Sequence, residues 1–319
     1  MPLQTSRRPP ALGSGRSARS SVRAPELARF LRRAAPAFFR EISKDLKRES
    51  APAPRRPQPL AWPDRGLHAA WLGHSTVLLK VNGFTILTDP VFSLRVGIGI
   101  GPVTVGIKRL VEVAATARDL PHIDVVLLSH AHMDHFDLPS LRALENRGTS
   151  VVTAHHTSDL LRPKRYARVH ELRWNDSVEV GPMRINAFPI AHWGARMRSD
   201  VYRGYNGYVL DIDRYRVLFG GDTAYTESFK TVRSSKRVDL AIMPIGAYDP
   251  WIHVHCNPEQ ALSMANDAGA EMILPVHHQT FQLSREPYNE PIERIVAAAG
   301  AAPERIAIRE IGGELSLVL

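Results

Sequence analysis

The segment LSHAHMDH, residues 128–135, brings three histidines and one aspartate together directly after an apolar run, residues 123–128, that is typical of a buried strand. Neutral imidazoles and carboxylates are ligands that Zn²⁺ takes in proteins. Only Ala131 separates His130 from His132, so a short loop holds their side chains next to each other. Asp134 and His135 can then turn toward a second position. The segment therefore predicts a metal site, and we expect it to hold two ions.

The composition limits the kinds of ligand that such a site can use. The chain has 319 residues, of which 44% are hydrophobic and 23% charged, as is ordinary for a soluble globular protein. Its one cysteine, Cys256, rules out an intrachain disulfide and a thiolate zinc cluster. The metal ligands must therefore be His, Asp or Glu, and the low cysteine content favours a reducing, cytoplasmic location.

The positive charge is concentrated at the N-terminus. The net charge is +9, yet residues 1–60 contain 14 Lys/Arg against 4 Asp/Glu, whereas the remaining residues contain 27 against 28. The body of the protein is close to neutral, so a basic groove for nucleic acid is not expected. A nucleic-acid-binding protein that uses only the basic segment is the least favoured of the functions that we consider.

The domain organisation follows the same division. We expect residues 1–60 to be a basic segment. It begins with a disordered stretch, continues as an amphipathic helix over residues 25–49 and ends in a proline-rich linker from residue 51. Residues 61–319 are expected to form the folded domain. The helix could lie on an anionic membrane surface, or its apolar face could cover the body. No segment reaches the ~20 apolar residues of a membrane-spanning helix.

Strand-like segments dominate the first half of the domain, and helical segments alternate with strands later. This order predicts two sheets packed together with helices outside. We expect strands over residues 69–79 and 84–88, with a hairpin turn at Asn82-Gly83. Residues 93–113 have no clear periodicity, and we expect a long loop that borders the active site.

Further candidate ligands follow other apolar segments of the chain. His192 follows one predicted strand, Asp222 follows two glycines after another, and His277 and His278 follow a third. Strand ends are rigid supports for side chains that must meet at one place. Each position is a weak signal alone, but together with residues 128–135 they complete the ligand set of a metal site.

Eight motifs along the domain strengthen this interpretation: WLGHSTVLL at Trp71, LTDPVFS at Leu87, LSHAHMDHFD at Leu128, HWGAR at His192, GGDTAY at Gly220, PIGAY at Pro244, HCNPEQA at His255 and HHQTF at His277. Together they resemble the metallo-β-lactamase-fold hydrolases, and within them the N-acylphosphatidylethanolamine-hydrolysing phospholipase D group and its bacterial relatives. The resemblance covers residues 71–281. It implies an α/β fold, a four-layer αββα sandwich with two mainly antiparallel sheets.

The resemblance also implies a role for each candidate residue. One metal would be held by His130, His132 and His192, and a second by Asp134, His135 and His277, with Asp222 bridging the two. His278 remains an alternative to His277. Asp89 would hydrogen-bond a ligating histidine, and His255 would lie near the substrate phosphate.

These roles predict a phosphodiesterase that cleaves a phospholipid such as N-acylphosphatidylethanolamine through a hydroxide shared by two divalent ions. We expect Zn²⁺, although the same ligands accept iron or manganese. His255 or a metal-bound water would protonate the leaving alkoxide, and Asp134 as general base is the competing assignment.

The segment that precedes His255 departs from the pattern of the phospholipase group. Residues 249–254 are shorter than the matching segment of the phospholipase, so lipid specificity stays open. A soluble hydrolase of a phosphorylated lactone or a cyclic nucleotide is the alternative. The enzyme could be peripheral on the membrane through its N-terminal helix, and a homodimer is one open alternative for its assembly.

Overall fold

Two β-sheets organise the part of the chain that the computed structural model describes, residues 48–100, 103–234 and 236–318. Their strands are β1 (Leu67–Gly73), β2 (Thr76–Val81), β3 (Phe84–Thr88), β6 (Val125–Leu127), β7 (Ser150–Ala154), β8 (Arg168–Leu172), β9 (Ser177–Val180), β10 (Met183–Phe188), β11 (Gly207–Ile212), β12 (Tyr215–Phe219), β13 (Val238–Pro244), β14 (Ala270–Val276) and β15 (Glu314–Leu317); β4 (Arg95–Ile100) and β5 (Val103–Lys108) form a separate hairpin. The helices are α1 (Leu138–Ala143), α2 (Phe229–Val232), α3 (Pro258–Asp267) and α4 (Glu290–Ala298).

Both sheets are mixed. The first has the order β15-β1-β2-β3-β6-β7-β8, and the second β14-β13-β12-β11-β10-β9. In the first sheet, the neighbours from β15 through β1 and β2 to β3 are antiparallel, and those from β3 through β6 and β7 to β8 are parallel. In the second sheet, the neighbours from β9 to β12 are antiparallel, and those from β12 to β14 are parallel. The expected mainly antiparallel character therefore holds for only part of each sheet. Parallel neighbours need crossover connections, and α1, α2 and α3 each lie in one of them.

The core lies between the sheets and under the helices. In β11, Tyr208 and Leu210 belong to a buried cluster shared with the first sheet, whereas Val209 packs in a second cluster with residues of α2, α3 and α4. This alternation follows from the two-residue period of a strand, since β11 buries both of its faces. The predicted α/β sandwich of two sheets with outer helices is confirmed.

Two local predictions need correction. The strand expected over residues 69–79 is two strands, because His74 adopts a positive φ of 52° and the chain turns between β1 and β2. The long loop expected over residues 93–113 contains the hairpin of β4 and β5. Its glycines obscured the alternation of apolar residues on which a strand prediction depends.

The N-terminal boundary also differs from the prediction. The folded unit is Ser50–Leu319, so the expected linker belongs to it rather than preceding it. The backbone N–H of Ala51 donates to Leu110 O at 2.8 Å, and Trp62 Nε1 donates to Glu314 Oε1 at 2.6 Å. The helix expected over residues 25–49 lies almost entirely outside the described residues. No helix among the described residues is long and apolar enough to cross a membrane.

Candidate metal centre

One edge of the two sheets collects all the candidate ligands. In the first sheet β1, β3 and β6 run in the same direction, and in the second sheet β10, β12, β13 and β14 do. Strands that point in the same direction end at the same edge of a sheet. The residues that follow these seven ends are, in chain order, His74, Asp89, the segment 130–135, His192, Asp222, His255 and His277.

Three histidines form the first group. His132 Nδ1 lies 2.8 Å from His130 Nε2 and 3.3 Å from His192 Nε2. His192 Nδ1 donates to Val254 O at 2.9 Å, which leaves the lone pair of this ring on Nε2. Ser129 Oγ donates its hydrogen to the buried carboxylate of Asp89, so it accepts a hydrogen bond from His130 Nδ1. The lone pair of the His130 ring is therefore also on Nε2. Two lone pairs therefore face the same nitrogen of His132.

The second group contains two carboxylates. Asp134 Oδ2 lies 3.6 Å from both His135 Nε2 and His277 Nε2. Asp222 Oδ2 lies 3.1 Å and 3.0 Å from the same two nitrogens, and 3.9 Å from His192 Nε2 of the first group. Asp222 is the side chain that links the groups.

Gly221 allows Asp222 to reach this position. Gly221 has a φ of +57°, and a Cβ there would lie 2.9 Å from Ser129 Cβ and 3.0 Å from Asn206 O. A residue with a side chain would therefore be strained and would push Asp222 away from the histidines.

Several buried polar atoms at this edge fit a metal ion. His132 Nε2, His135 Nε2, His277 Nε2 and Asp222 Oδ1 find no hydrogen-bond partner among the described residues. Burying such atoms without partners is costly unless a cation satisfies them. Burial would raise the pKa of Asp222, but His135 and His277 outweigh it and hold the pKa well below its usual range. An ionised carboxylate facing imidazole nitrogens is a donor set for a divalent transition metal.

Asp89 orients two parts of the site. His135 Nδ1 donates to Asp89 Oδ2 at 2.7 Å, and Ser129 donates to Asp89 from its backbone nitrogen at 2.7 Å and from Oγ at 2.5 Å. Because Asp89 holds the Nδ1 hydrogen of His135, Nε2 is the ring atom that faces Asp134 and Asp222. Two groups that both carry lone pairs need a proton or a metal between them.

The fold and these ligand clusters match a known family. Residues 85–278 match the family model described as a β-lactamase superfamily domain. The chain belongs to the metallo-β-lactamase superfamily of metal-dependent hydrolases. This membership confirms the family predicted from the eight motifs.

The relatives of this metallo-β-lactamase-fold protein share most of its length. An uncharacterised protein of Mycobacterium tuberculosis is 36% identical over 279 residues, which cover 82% of this chain and 73% of the relative. The mitochondrial N-acyl-phosphatidylethanolamine-hydrolyzing phospholipase D of Saccharomyces cerevisiae is 31% identical over 77% of this chain, and the match spans 55% of that enzyme. The solved structure of Igni18, a metallo hydrolase of Ignicoccus hospitalis, superimposes with a TM-score of 0.60 at 21% identity, covering 80% of this chain and all of that one.

The structure distinguishes the two adjacent histidines of this hydrolase. His277 Nε2 faces both carboxylates, whereas the His278 ring stacks on Trp71 with centroids 4.5 Å apart. Burial lowers the pKa of His278 to about 3, so the ring is neutral at pH 7. His277, and not His278, is placed to hold a metal.

His74 is the site residue that sequence reasoning missed. Its Nε2 lies 3.1 Å from Asp134 Oδ2, its backbone oxygen accepts from His277 N at 3.1 Å, and its side chain is buried. Burial and the neighbouring His277 lower the pKa of His74 to about 3, so the neutral ring donates one hydrogen bond to Asp134. The available signal was a histidine after Gly73, which interrupts an otherwise apolar strand pattern.

His255 and Asp134 have protonation states that limit their roles. Burial lowers the pKa of His255 to about 4, although Asp222 opposes the shift, so the ring is neutral at pH 7. His255 Nδ1 lies 3.9 Å from Asp222 Oδ2. Burial would raise the pKa of Asp134, but His135 and His277 hold it well below its usual range. A carboxylate of this kind is a poor proton acceptor.

An exposed apolar rim adjoins the histidines. The Trp193 ring is 43% exposed and lies 4.6 Å from the ring of His132 and 4.5 Å from that of His192. Trp251 and Ile252 are also exposed and lie just before Val254, whose carbonyl accepts from His192. Large apolar side chains are thus exposed close to the candidate ligands His132 and His192.

Proposed function

We propose that this protein is a binuclear metal hydrolase, a phosphodiesterase that cleaves a phospholipid such as N-acylphosphatidylethanolamine in the manner of a phospholipase D. The observation that carries the proposal is the position of Asp222. One of its oxygens lies 3.0–3.9 Å from ring nitrogens of His135, His277 and His192, which belong to two separate ligand groups. A carboxylate shared between two groups is what a two-metal site requires.

The two ions are assigned to the two groups. His130, His132 and His192 would hold one ion, and Asp134, His135 and His277 the other, with Asp222 contacting both. The dominance of imidazole in this set suits Zn²⁺, which binds histidine nitrogen in proteins. When bound, two such ions lower the pKa of a water to about 7 and offset negative charge on phosphoryl oxygens.

The protein side chains divide the remaining tasks. Asp89 and Val254 hold the rings of His135 and His192 in the tautomers that leave Nε2 free. The neutral His255 ring has one N–H to donate to a phosphoryl oxygen, so we assign it to substrate binding rather than to protonation of the leaving group. Asp134 acts as a ligand and not as a general base.

The substrate class rests on two further observations. The yeast relative is named for hydrolysing N-acylphosphatidylethanolamine, and the motifs that resemble that group extend through the whole site. In addition, Trp193, Trp251 and Ile252 expose apolar surface where a substrate with acyl chains would lie. Neither a cyclic nucleotide nor a phosphorylated lactone has a chain that would use this surface.

The test is a substrate panel assayed on protein of known metal content. N-acylphosphatidylethanolamine in mixed micelles, a soluble aryl phosphodiester, a cyclic nucleotide and a phosphorylated lactone are incubated in ¹⁸O water, and the products are identified by mass spectrometry. We expect phosphatidic acid that carries one ¹⁸O atom on phosphorus. Turnover of only the lactone or the cyclic nucleotide would replace the lipid assignment with the soluble alternative.

A pair of variants distinguishes the loss of the metal site from a general effect of removing a carboxylate. Asp222→Asn removes a charge at the shared position with little change in shape, and Asp119→Asn removes an exposed carboxylate that accepts hydrogen bonds from Thr116 in its own turn. Hydrolysis of every substrate should be lost in the first variant and retained in the second. Equal activity of the two variants would refute the proposed centre.

A further inference from the structure

The hairpin of β4 and β5 has a composition that changes along its length. Residues 90–111 contain no Asp or Glu. Arg95 and Lys108 are paired at the base, and the strands beyond them contain only apolar residues, glycines and Thr104. Charge is therefore confined to the end of the hairpin that joins the body.

The side chains of the hairpin are also divided between its two faces. Val96 lies opposite Ile107 and Ile98 opposite Val105 on one face, whereas on the other face Gly97 lies opposite Gly106 and Gly99 opposite Thr104. The side chains of Ile98 and Val105 are 51% and 42% exposed, and that of Leu94, just before β4, is 54% exposed. Exposed apolar side chains that share one face can mark a site of contact with a membrane or another protein, so this face is suited to contact with an apolar phase.

The base of the hairpin contacts the body at the same edge as the candidate ligands. It lies between β3 and β6, which pair parallel and end at Asp89 and at the segment 130–135. Val96 packs in a buried cluster with Phe281, and the Phe281 ring meets the His74 ring edge-on with centroids 5.2 Å apart. Two side chains thus separate the base of the hairpin from Asp134.

We propose that the β4–β5 hairpin is a membrane-docking element that inserts its apolar face into an anionic lipid surface beside the metal centre. The inference rests on the proposed function, since a phospholipase must reach substrate at a bilayer. The exposed side chains of Ile98 and Val105 beyond the base, and the cations at the base, match the order of acyl chains and anionic headgroups. The absence of acidic residues from the segment removes the repulsion that such headgroups would otherwise impose.

The insertion can be measured in the full-length protein with a probe on the hairpin. Cys256 is buried, so an introduced surface cysteine can be labelled selectively with an environment-sensitive dye. Ile98→Cys is compared with Leu60→Cys, where the native side chain is 74% exposed and belongs to a short helical turn outside the hairpin. With vesicles of phosphatidylcholine and phosphatidylglycerol we expect a blue shift at position 98 and none at position 60. An unshifted spectrum at position 98 in protein that sediments with the vesicles would overturn the inference.

A second measurement uses charge. The double variant Ile98→Asp with Val105→Asp should partition onto these vesicles at least about tenfold less than the wild type, because two apolar side chains become charged. Leu60→Asp should partition as the wild type does. Equal partitioning of all three proteins would contradict insertion, as would a wild-type dimer in light scattering that the double variant abolishes, since the face would then contact a second copy. Hydrolysis of a soluble phosphodiester by the wild-type protein is measured in parallel, and this measurement tests the proposed function separately.

Discussion

His135 donates its Nδ1 hydrogen to Asp89 at 2.7 Å, and both side chains are fully buried. Asp89 follows β3 and His135 follows β6, so the parallel pairing of these strands brings the two residues together. The bond fixes which nitrogen of His135 faces Asp134 and Asp222. Hydrogen bonds of this kind orient metal-ligating histidines and raise their affinity for the ion.

Removing this bond should weaken metal binding. In Asp89→Asn the charge that holds the Nδ1 proton is lost while the shape is nearly kept, and metal affinity should fall by about 10–100-fold. Chelator competition followed at equilibrium measures the change. Asp119→Asn, which removes an exposed carboxylate away from the candidate ligands, should keep the wild-type affinity; equal affinity in the two variants would contradict a role for the bond between Asp89 and His135.

Replacement of His74 should affect one group of ligands and spare the other. His74 has a positive φ, which asparagine tolerates well, so His74→Asn removes the bond to Asp134 with little backbone strain. We expect bound metal to drop from two ions per chain toward one, with a matching loss of turnover. Metal analysis after dialysis against low chelator concentrations gives the count. Two tightly bound ions in this variant would exclude a supporting role for His74.

The adjacent histidines should behave differently. His277→Asn removes a nitrogen that faces both carboxylates, and most of the bound metal and activity should be lost. His278→Phe keeps an aromatic ring against Trp71, so metal content should remain within about twofold of the wild type. Metal analysis of both purified variants decides the assignment, and the opposite pattern would make His278 the ligand.

Glu171 should make stability depend on pH in the acidic range. Burial would raise its pKa, but hydrogen bonds from Ser158 and neighbouring backbone groups outweigh it and lower the pKa to about 2. Because the folded-state pKa is depressed, the stabilisation is present above the unfolded value of about 4.5 and is lost as pH falls toward 2. The wild type should therefore exceed Glu171→Gln in denaturation midpoint at pH 6, and the difference should shrink by pH 3. A difference that stays constant over this range would contradict the assignment.

The residue types and spacing within residues 128–135 were enough to predict the metal site from the sequence alone. Three histidines and an aspartate after an apolar strand predicted a metal site, because ligand type and short-range spacing do not depend on the rest of the chain. The family followed from motifs that are likewise local. The position of Asp89 beside a histidine of the site was also expected from its strand end.

Tertiary structure decided the relationships between residues far apart in the chain. The distances that join Asp222 to His135, His277 and His192 depend on the direction of strands in two different sheets, and no local pattern encodes that direction. The same holds for the tautomer of His192, which a carbonyl 62 residues away sets. The apolar face of residues 93–113 became visible only once β4 paired with β5, because a register between two strands determines which side chains share a face.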